Sequence, residues 1–325
     1  MDKEAYTLFI HTKENKCFLP AVFDGISWET QRKGQPGKLT FSCIQDEALK
    51  IDEGAIVQFK KGKNKIFQGV IFSRKLDKDN KVSIIAYDQL RYLKNKKVYS
   101  AVNKTATAII KELADDFQLK CGDLVDTKYV IPKFRAGDQT LFDLMQTALD
   151  ITTESTKELY VLYDDYGKLT IKNIKDLLVN ILIDGETAEN YNYESSIDKD
   201  TYNQIKLFYD NKDTGKRDVW LAKDSKHIKT WGLLEKAISI NPKKSENPQE
   251  KAMTMLKKYN KATRTLNIKN AFGDIRVRAG SSLWFNLKID GQDIKQRLLV
   301  ESVRHTFDKD VHTMDLKLRG GMFDS

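Results

Sequence analysis

The stretch AIVQFKKGKNKIFQGVIFSRKLDKDNKVSIIAY, residues 55–87, decides how the whole chain is read. Its runs 55–60, 65–75 and 81–87 are rich in β-branched and aromatic residues. They are separated by Lys61-Gly62-Lys63-Asn64 and Asp77-Lys78-Asp79-Asn80, which are turn chemistry. Three strands in a row, with no helical period between them, set an all-β beginning.

The pattern extends back towards the amino terminus through 6–12, 17–23, 28–32 and 38–44. Between the last two, Lys33-Gly34-Gln35-Pro36-Gly37 reads as a Pro-Gly turn with its left-handed residue expected at Gly37. Six or seven short strands over residues 1–97 predict a small antiparallel barrel or sandwich, which removes or shortens exposed edges. Trp28, Phe41, Phe59, Phe67, Phe72, Tyr87 and Tyr92 recur at strand positions and are expected mostly to fill its interior.

After Asn95 the period changes. Ala106, Ile109, Ile110, Leu113, Ala114 and Phe117 form the apolar stripe of a helix begun near Thr105. Thr140 with Asp143 resembles a capping box, opening a second helix with Leu141, Leu144, Met145, Ala148 and Leu149 on its face. Stretches 159–163 and 168–171 flank Asp164-Asp165-Tyr166-Gly167, a hairpin whose adjacent carboxylates are expected at a solvated tip. Residues 98–190 therefore read as a small α/β unit.

Strand character returns at 203–210 and 217–223, joined by Asn211-Lys212-Asp213-Thr214-Gly215. Asn247 and Pro248 then begin a helix with Ala252, Met255, Leu256 and Tyr259 on one face. Strands at 264–270, 282–288, 296–307 and 312–318 run to the end. A second strand block, 191–223 with 264–325, thus carries a helical insert at 224–263.

With 325 residues, 40% hydrophobic and 31% charged, the chain is expected to form two or three globular domains. Met1-Asp2-Lys3-Glu4 lacks the order of a secretory signal, and no apolar run is long enough to span a bilayer, so folding in the cytoplasm without membrane insertion is expected. Cys17, Cys43 and Cys121 are odd in number and far apart, which suits reduced thiols better than a disulfide framework or zinc knuckle. The net charge of +9 is spread through turns such as Lys94-Asn95-Lys96-Lys97, so no specific nucleic-acid groove is expected.

No catalytic, cofactor or metal set assembles from the motifs. Gly34-Gln35-Pro36-Gly37-Lys38 is followed by Leu39 and a strand, where a phosphate loop needs Ser or Thr and a helix. The loop from Asp210 has Lys212, Thr214 and Leu221 where calcium ligands belong. His11, His227, His305 and His312 lie in no HExxH motif or nucleophile elbow, and Arg319-Gly320-Gly321 is too little for an RNA-binding tail.

Several longer strings carry a resemblance: WETQR (28–32), PGKLTF (36–41), AYDQLRYLKNK (86–96), YVLYDD (160–165), GKL (167–169), YNQIKL (202–207), NAFGD (270–274), RAGSS (278–282) and HTMDLKLRGG (312–321). In colinear order over nearly the whole chain, they resemble the XkdQ-type tail proteins of PBSX-like prophages. The resemblance implies a baseplate hub protein of a contractile tail, related to the T-even phage hub and late-control-D families, in a phage, defective prophage or phage-tail-like bacteriocin.

The implied fold is mainly β with α+β insertions. It comprises two small tail-tube-like antiparallel β-barrels (1–97; 191–223 with 264–325), a peripheral α/β domain (98–190) and the helical insert (224–263). The implied assembly is a homotrimer of pseudo-sixfold symmetry whose partners are the tail tube, the central spike, other baseplate or hub-associated proteins and the tape-measure protein. Trp28, Arg32, Arg91, Tyr92, Trp231, Arg276 and Arg278 are the candidate contact residues, and the implied role is structural, without an enzyme activity. The competing class is a cell-wall (peptidoglycan) hydrolase or glycan-binding tail module. A nucleic-acid-binding barrel is the third.

Overall fold

The computed structural model of the protein describes residues 5–12, 16–23, 25–45, 49–198, 200–211, 215–240, 247–289, 291–309 and 311–320. Met1–Glu4, Lys212–Thr214 of the calcium-like loop and Gly321 of the RGG triplet lie outside them. The chain divides into two compact units, Met1–Tyr191 with Asn267–Leu318, and Asn192–Leu266 with Arg319–Ser325.

The first unit opens with β1 (Tyr6–His11), β2 (Cys17–Phe18), β3 (Ile26–Gln31), β4 (Lys38–Ile44), β5 (Ile56–Lys61), β6 (Asn64–Leu76) and β7 (Lys81–Tyr87). Alternation sorts their side chains: Leu39, Phe41 and Cys43 of β4 and Val82, Ile84 and Ala86 of β7 all point inward. They pack with Trp28, Val57, Phe59, Ile71 and Phe307 in one core. Gly37 does not take the left-handed conformation; Gly34 does, at φ 72°. Gly37 is needed for space, because a Cβ there would stand 2.3 Å from Asp88 Oδ2.

A 3-10 turn, Gln89–Lys94, leads into β8 (Lys96–Thr105), α1 (Ala106–Asp116), β9 (Cys121–Leu124), β10 (Val130–Thr140), α2 (Leu141–Thr156), β11 (Tyr160–Asp164) and β12 (Leu169–Asn173). Thr105 caps α1 by accepting from the Ala108 N–H, and the predicted stripe is buried from Ala106 to Ala114. At α2, Thr140 Oγ accepts from the Asp143 N–H, capping the helix, and donates to the Asp143 carboxylate. The antiparallel β8–β10 ribbon is not legible as strand in the sequence. β8 begins among lysines and shows no sustained apolar alternation, but Tyr99 and Phe134 anchor the ribbon on the two helices.

β13 (Leu178–Asp184) and β14 (Ala188–Ser196) follow. In the second unit, β15 (Gln204–Asp210) and β16 (Arg217–Lys223) form the predicted hairpin; α3 (Ser225–Trp231), β17 (Glu235–Ser239) and α4 (Pro248–Tyr259) come next. Strand β17 lies within the stretch read as helical, and its parallel pairing with β15 makes it a strand. The three strands form a sheet of their own, with Ile205, Leu207 and Ala222 packed on Ala252 of α4.

The chain closes with β18 (Thr263–Phe272), β19 (Ser282–Ile289), β20 (Gln292–Asp308) and β21 (Val311–Arg319). The architecture is mainly β, as expected. The expectation of two separately closed barrels is not met among the described residues. Instead a thirteen-stranded sheet runs β14-β18-β21-β20-β3-β4-β7-β6-β5-β1-β2, with β19 on β20 and β13 on β19.

The reason lies in β20, which is 17 residues long. Its first half pairs with β19, Ile289↔Gln292 to Ser282↔Leu299, and its second half pairs with β3, Ser302↔Gln31 to Phe307↔Ile26. Ile294, Leu298 and Val300 are buried in the first half, then Val303, His305 and Phe307 in the second, so the inward parity changes between Val300 and Val303. One strand thereby serves both blocks.

Phe59 is among the largest fully buried side chains, so Phe59→Ala is expected to cost about 3–5 kcal/mol by urea unfolding. Lys78→Ala, in an exposed turn, should stay within about 0.5 kcal/mol.

Candidate assembly surfaces

Two buried polar joints hold the strand blocks in place before any surface is presented. His305 Nε2 lies 2.9 Å from the Val277 carbonyl, which only accepts, so the ring proton sits on Nε2. His305 Nδ1 must then accept from His312 Nε2 at 2.9 Å, and His312 Nδ1 from the Tyr6 hydroxyl at 3.2 Å. The relay joins β1 to β20 and β21 and is complete with both rings neutral. Burial agrees, lowering His305 to about 3 and His312 to about 4, with His312 and Lys61 respectively adding repulsion. Trp28 stacks on His305 at 4.7 Å between centroids, and Phe307 on His312 at 4.3 Å.

The second joint meets at Asp88, Asp164 and Arg278. Asp88 accepts from the N–H groups of Gly37 and Leu90 at 2.9 and 3.0 Å, so it both fastens the Pro-Gly turn and caps the 3-10 turn. Asp164 corrects the expectation of a solvated hairpin tip: it is buried, and its Oδ1 accepts from the Gly167 N–H at 2.7 Å, closing the turn from inside. Arg278 donates to the Asp164 carbonyl at 2.8 Å and lays its guanidinium over Tyr163 at 3.8 Å. Burial raises both carboxylic acids, Asp164 to about 6, and Asp88 well above the carboxylate range with a further push from Asp164. Burial lowers Arg278, against the pull of Tyr163 and the nearby carboxylates.

The seven predicted contact residues fall in different places. Trp28 and Arg32 spend their side chains inside the protomer, Trp28 on His305 and Arg32 in a two-pronged pair with Glu301 at 2.9 and 2.8 Å. Arg278 belongs to the second joint. Arg276, on the surface, pairs with Asp274 at 2.6 Å. Trp231 stacks on His227 at 3.9 Å in the second unit. Arg91 lies over Phe72 at 5.2 Å and Tyr92 stands 5.9 Å from the same ring, so these two share one surface.

Around that surface lie Phe72, Tyr87 and Tyr92, aromatic residues expected from the sequence mostly in the interior. Ile56, Val70 and Tyr87 sit in register across β5, β6 and β7 on the outward face. Ile56 and Val70, with Tyr92, Phe117 and Leu119, border a cleft of about 370 Å³, and Ile56 and Tyr92 remain 43% and 39% exposed. The available signal is that β6 is apolar on both faces, with Ile66 and Ile71 inside and Val70 and Phe72 outside. A second outward row crosses β13, β19 and β20 as Leu182, Trp284 and Arg297. Trp284 is 42% exposed, with the guanidinium 4.8 Å from its ring.

Exposed aromatic and arginine side chains on a sheet face are what protein interfaces use as anchors. Among the described residues no three His, Cys, Asp or Glu side chains are placed to share a metal ion, and no helix is long and apolar enough to cross a membrane.

A family model described as YQBQ-like matches residues 26–319. The protein YqbQ of Bacillus subtilis strain 168 is 30% identical over 308 residues, 92% of each chain. The phage-like element PBSX protein XkdQ of the same strain is 29% identical over 309 residues, 92% of this chain and 93% of XkdQ. Among solved structures, the 43 kDa tail protein of prophage MuSo2 from Shewanella oneidensis superimposes with a TM-score of 0.70, over 97% of this chain and 98% of its own, at 11% identity. That likeness is one of fold.

The joints set opposite pH responses. Both histidines are held below an unfolded value near 6.5, so the unfolded chain protonates first, and the stability of the neutral relay is lost as pH falls from about 6.5 to about 3. Asp164 is raised from 3.8 to about 6, so the folded chain takes its proton first and gains stability as pH falls through that window. Asp164→Asn removes this gain. Its melting temperature should therefore fall more steeply than the parent's below pH 6 in melts stepped from pH 8 to 4; parallel curves would refute the assignment.

Proposed function

Because this chain belongs to the YQBQ-like family, we propose that it is the structural hub protein of a contractile tail baseplate, in a phage, defective prophage or phage-tail-like bacteriocin. The resemblance to XkdQ-type tail proteins is borne out at 29% identity over nearly the full length of both chains. That end-to-end likeness carries the reading. XkdQ is by name a protein of a phage-like element, and the MuSo2 relative in fold is a tail protein.

In this reading the blocks 1–97 and 191–223 with 264–325 act as quasi-equivalent barrel-like units of one protomer. Residues 98–190 form a peripheral domain and 224–263 an insert. A homotrimer then presents six such units, which suits a hexameric tail tube on one side and a trimeric central spike on the other. Cyclic symmetry makes the contacts heterologous, so two different faces of the protomer must be complementary. Within the protomer β20 joins the two blocks, since it pairs with β19 of one and β3 of the other.

Further partners in this reading are other baseplate or hub-associated proteins and the tape-measure protein, met through exposed residues such as Arg91, Tyr92 and Arg276, and Trp231 of the second unit. The role is mechanical, with no chemistry, membrane insertion or specific nucleic acid required. Synthesis is cytoplasmic and the final place is the tail.

Sedimentation of the purified chain at micromolar concentration should show a trimer, alone or on addition of the tube protein. A monomer under both conditions, or a labelled subunit lying off the tube axis in particle images, would remove the hub assignment. A lytic band on peptidoglycan zymograms would favour the hydrolase instead.

A further inference from the structure

The cleft beside Tyr92 has the chemistry of a peptide-docking site. Its walls are apolar: Ile56 and Val70 from the outward row, Tyr92 in the 3-10 turn, and Phe117 and Leu119 after α1. Its polar groups are largely spent within the protein. The Gln89 amide donates to the Lys120 carbonyl at 2.9 Å and accepts from the Lys120 N–H at 3.1 Å, and Gln68 accepts from Gln58 at 2.9 Å. An occupant therefore meets a mostly apolar surface.

Two cations bear on the cleft: Lys120 lines it, and Arg91 immediately precedes the lining Tyr92 in the chain. Arg91 lays its guanidinium on Phe72 instead of a carboxylate, and Lys120 gives Gln89 its backbone and leaves its ammonium to solvent. Neither is in an ion pair among the described residues. By contrast Arg74, on the same strand as Phe72, is neutralised by Asp52 and Glu53. A volume of about 370 Å³ falls at the lower end of small-ligand pockets, enough for one large side chain and its neighbours.

We propose that this cleft docks a segment of a partner protein in which an aromatic side chain is flanked by carboxylates. The aromatic ring enters between Ile56, Val70 and Phe117, and the carboxylates meet Arg91 and Lys120. Apolar burial supplies the affinity and the two cations set the preference. The inference goes beyond the hub reading, because it holds whatever position the chain takes in a tail, and a monomeric chain would serve the test equally well.

Two probes test it on the full chain. Indole-3-acetate carries a ring and a carboxylate; indole-3-acetamide has the same shape without the charge. In calorimetry or ligand-observed NMR the acetate should bind saturably and about two- to fivefold more tightly than the amide, and the difference should disappear in Arg91→Gln/Lys120→Gln. The labelled peptide Asp-Glu-Trp-Asp-Glu should bind by fluorescence anisotropy and weaken with salt, whereas Asp-Glu-Ala-Asp-Glu should not bind.

Ile56→Asp, checked for an unchanged melting transition, should abolish both signals; if it fails to fold, Tyr92→Ala serves as the second wall variant. No saturable binding of the acetate up to about 10 mM would overturn the proposal. Equal binding of acetate and amide would overturn the charge preference, and a peptide that fails where the acetate succeeds would reduce the site to a small-molecule pocket. Loss of self-association in Tyr92→Ala would show that the occupant is a second copy, which also overturns it.

Discussion

The structure depends on the hydrogen-bonding demand of one long strand. Every N–H and C=O of Gln292–Asp308 that leaves water needs a partner, and no single neighbour is long enough to supply them. β19 pairs with the first half and β3 with the second, with β21 a further hydrogen-bonded neighbour, so the carboxyl-terminal block is welded to the first through backbone pairing. The change of inward parity between Val300 and Val303 lets one strand feed apolar side chains on both sides of the weld. A one-residue slip past β3 would turn Val303, His305 and Phe307 outward and bring Arg304 inward, away from its partner Glu29 on β3.

That weld creates places where polar groups leave water, and each is handled by protonation state and donor geometry. The histidine relay is complete with neutral rings, and burial is what holds both rings in that form. Asp88 and Asp164 cannot both stay charged at little cost in so dry a place, and Arg278 is near enough to offset part of that cost. These joints are what hold Tyr6, the Pro-Gly turn and the 160–169 hairpin against the strands.

With its interior so committed, the first unit leaves two apolar rows outside, one through Ile56, Val70 and Tyr87 and the other through Leu182 and Trp284. Strands that are apolar on both faces make sense where a sheet is covered twice, once by its own core and once by another molecule.

Periodicity and turn chemistry were enough to locate most of the local elements. The stretch 55–87, the capped helices at Thr105 and Thr140 and the hairpin at 160–173 follow from neighbours within a few residues, where alternation, a capping hydroxyl or a tight turn acts directly. The strands β8, β10 and β17 escaped because pairing partners, and not their own composition, make them strands. The same limit hid the cleft: Val70 and Ile71 are equally apolar, and only the register of β6 between β5 and β7 decides which faces water. By itself the sequence determined a β-rich chain with a helical middle and the family it resembles. The tertiary structure alone decided that the two blocks share one sheet, that Asp164 turns inward, and that Tyr92 stays outside, because those outcomes depend on long-range pairing, which local periodicity does not encode.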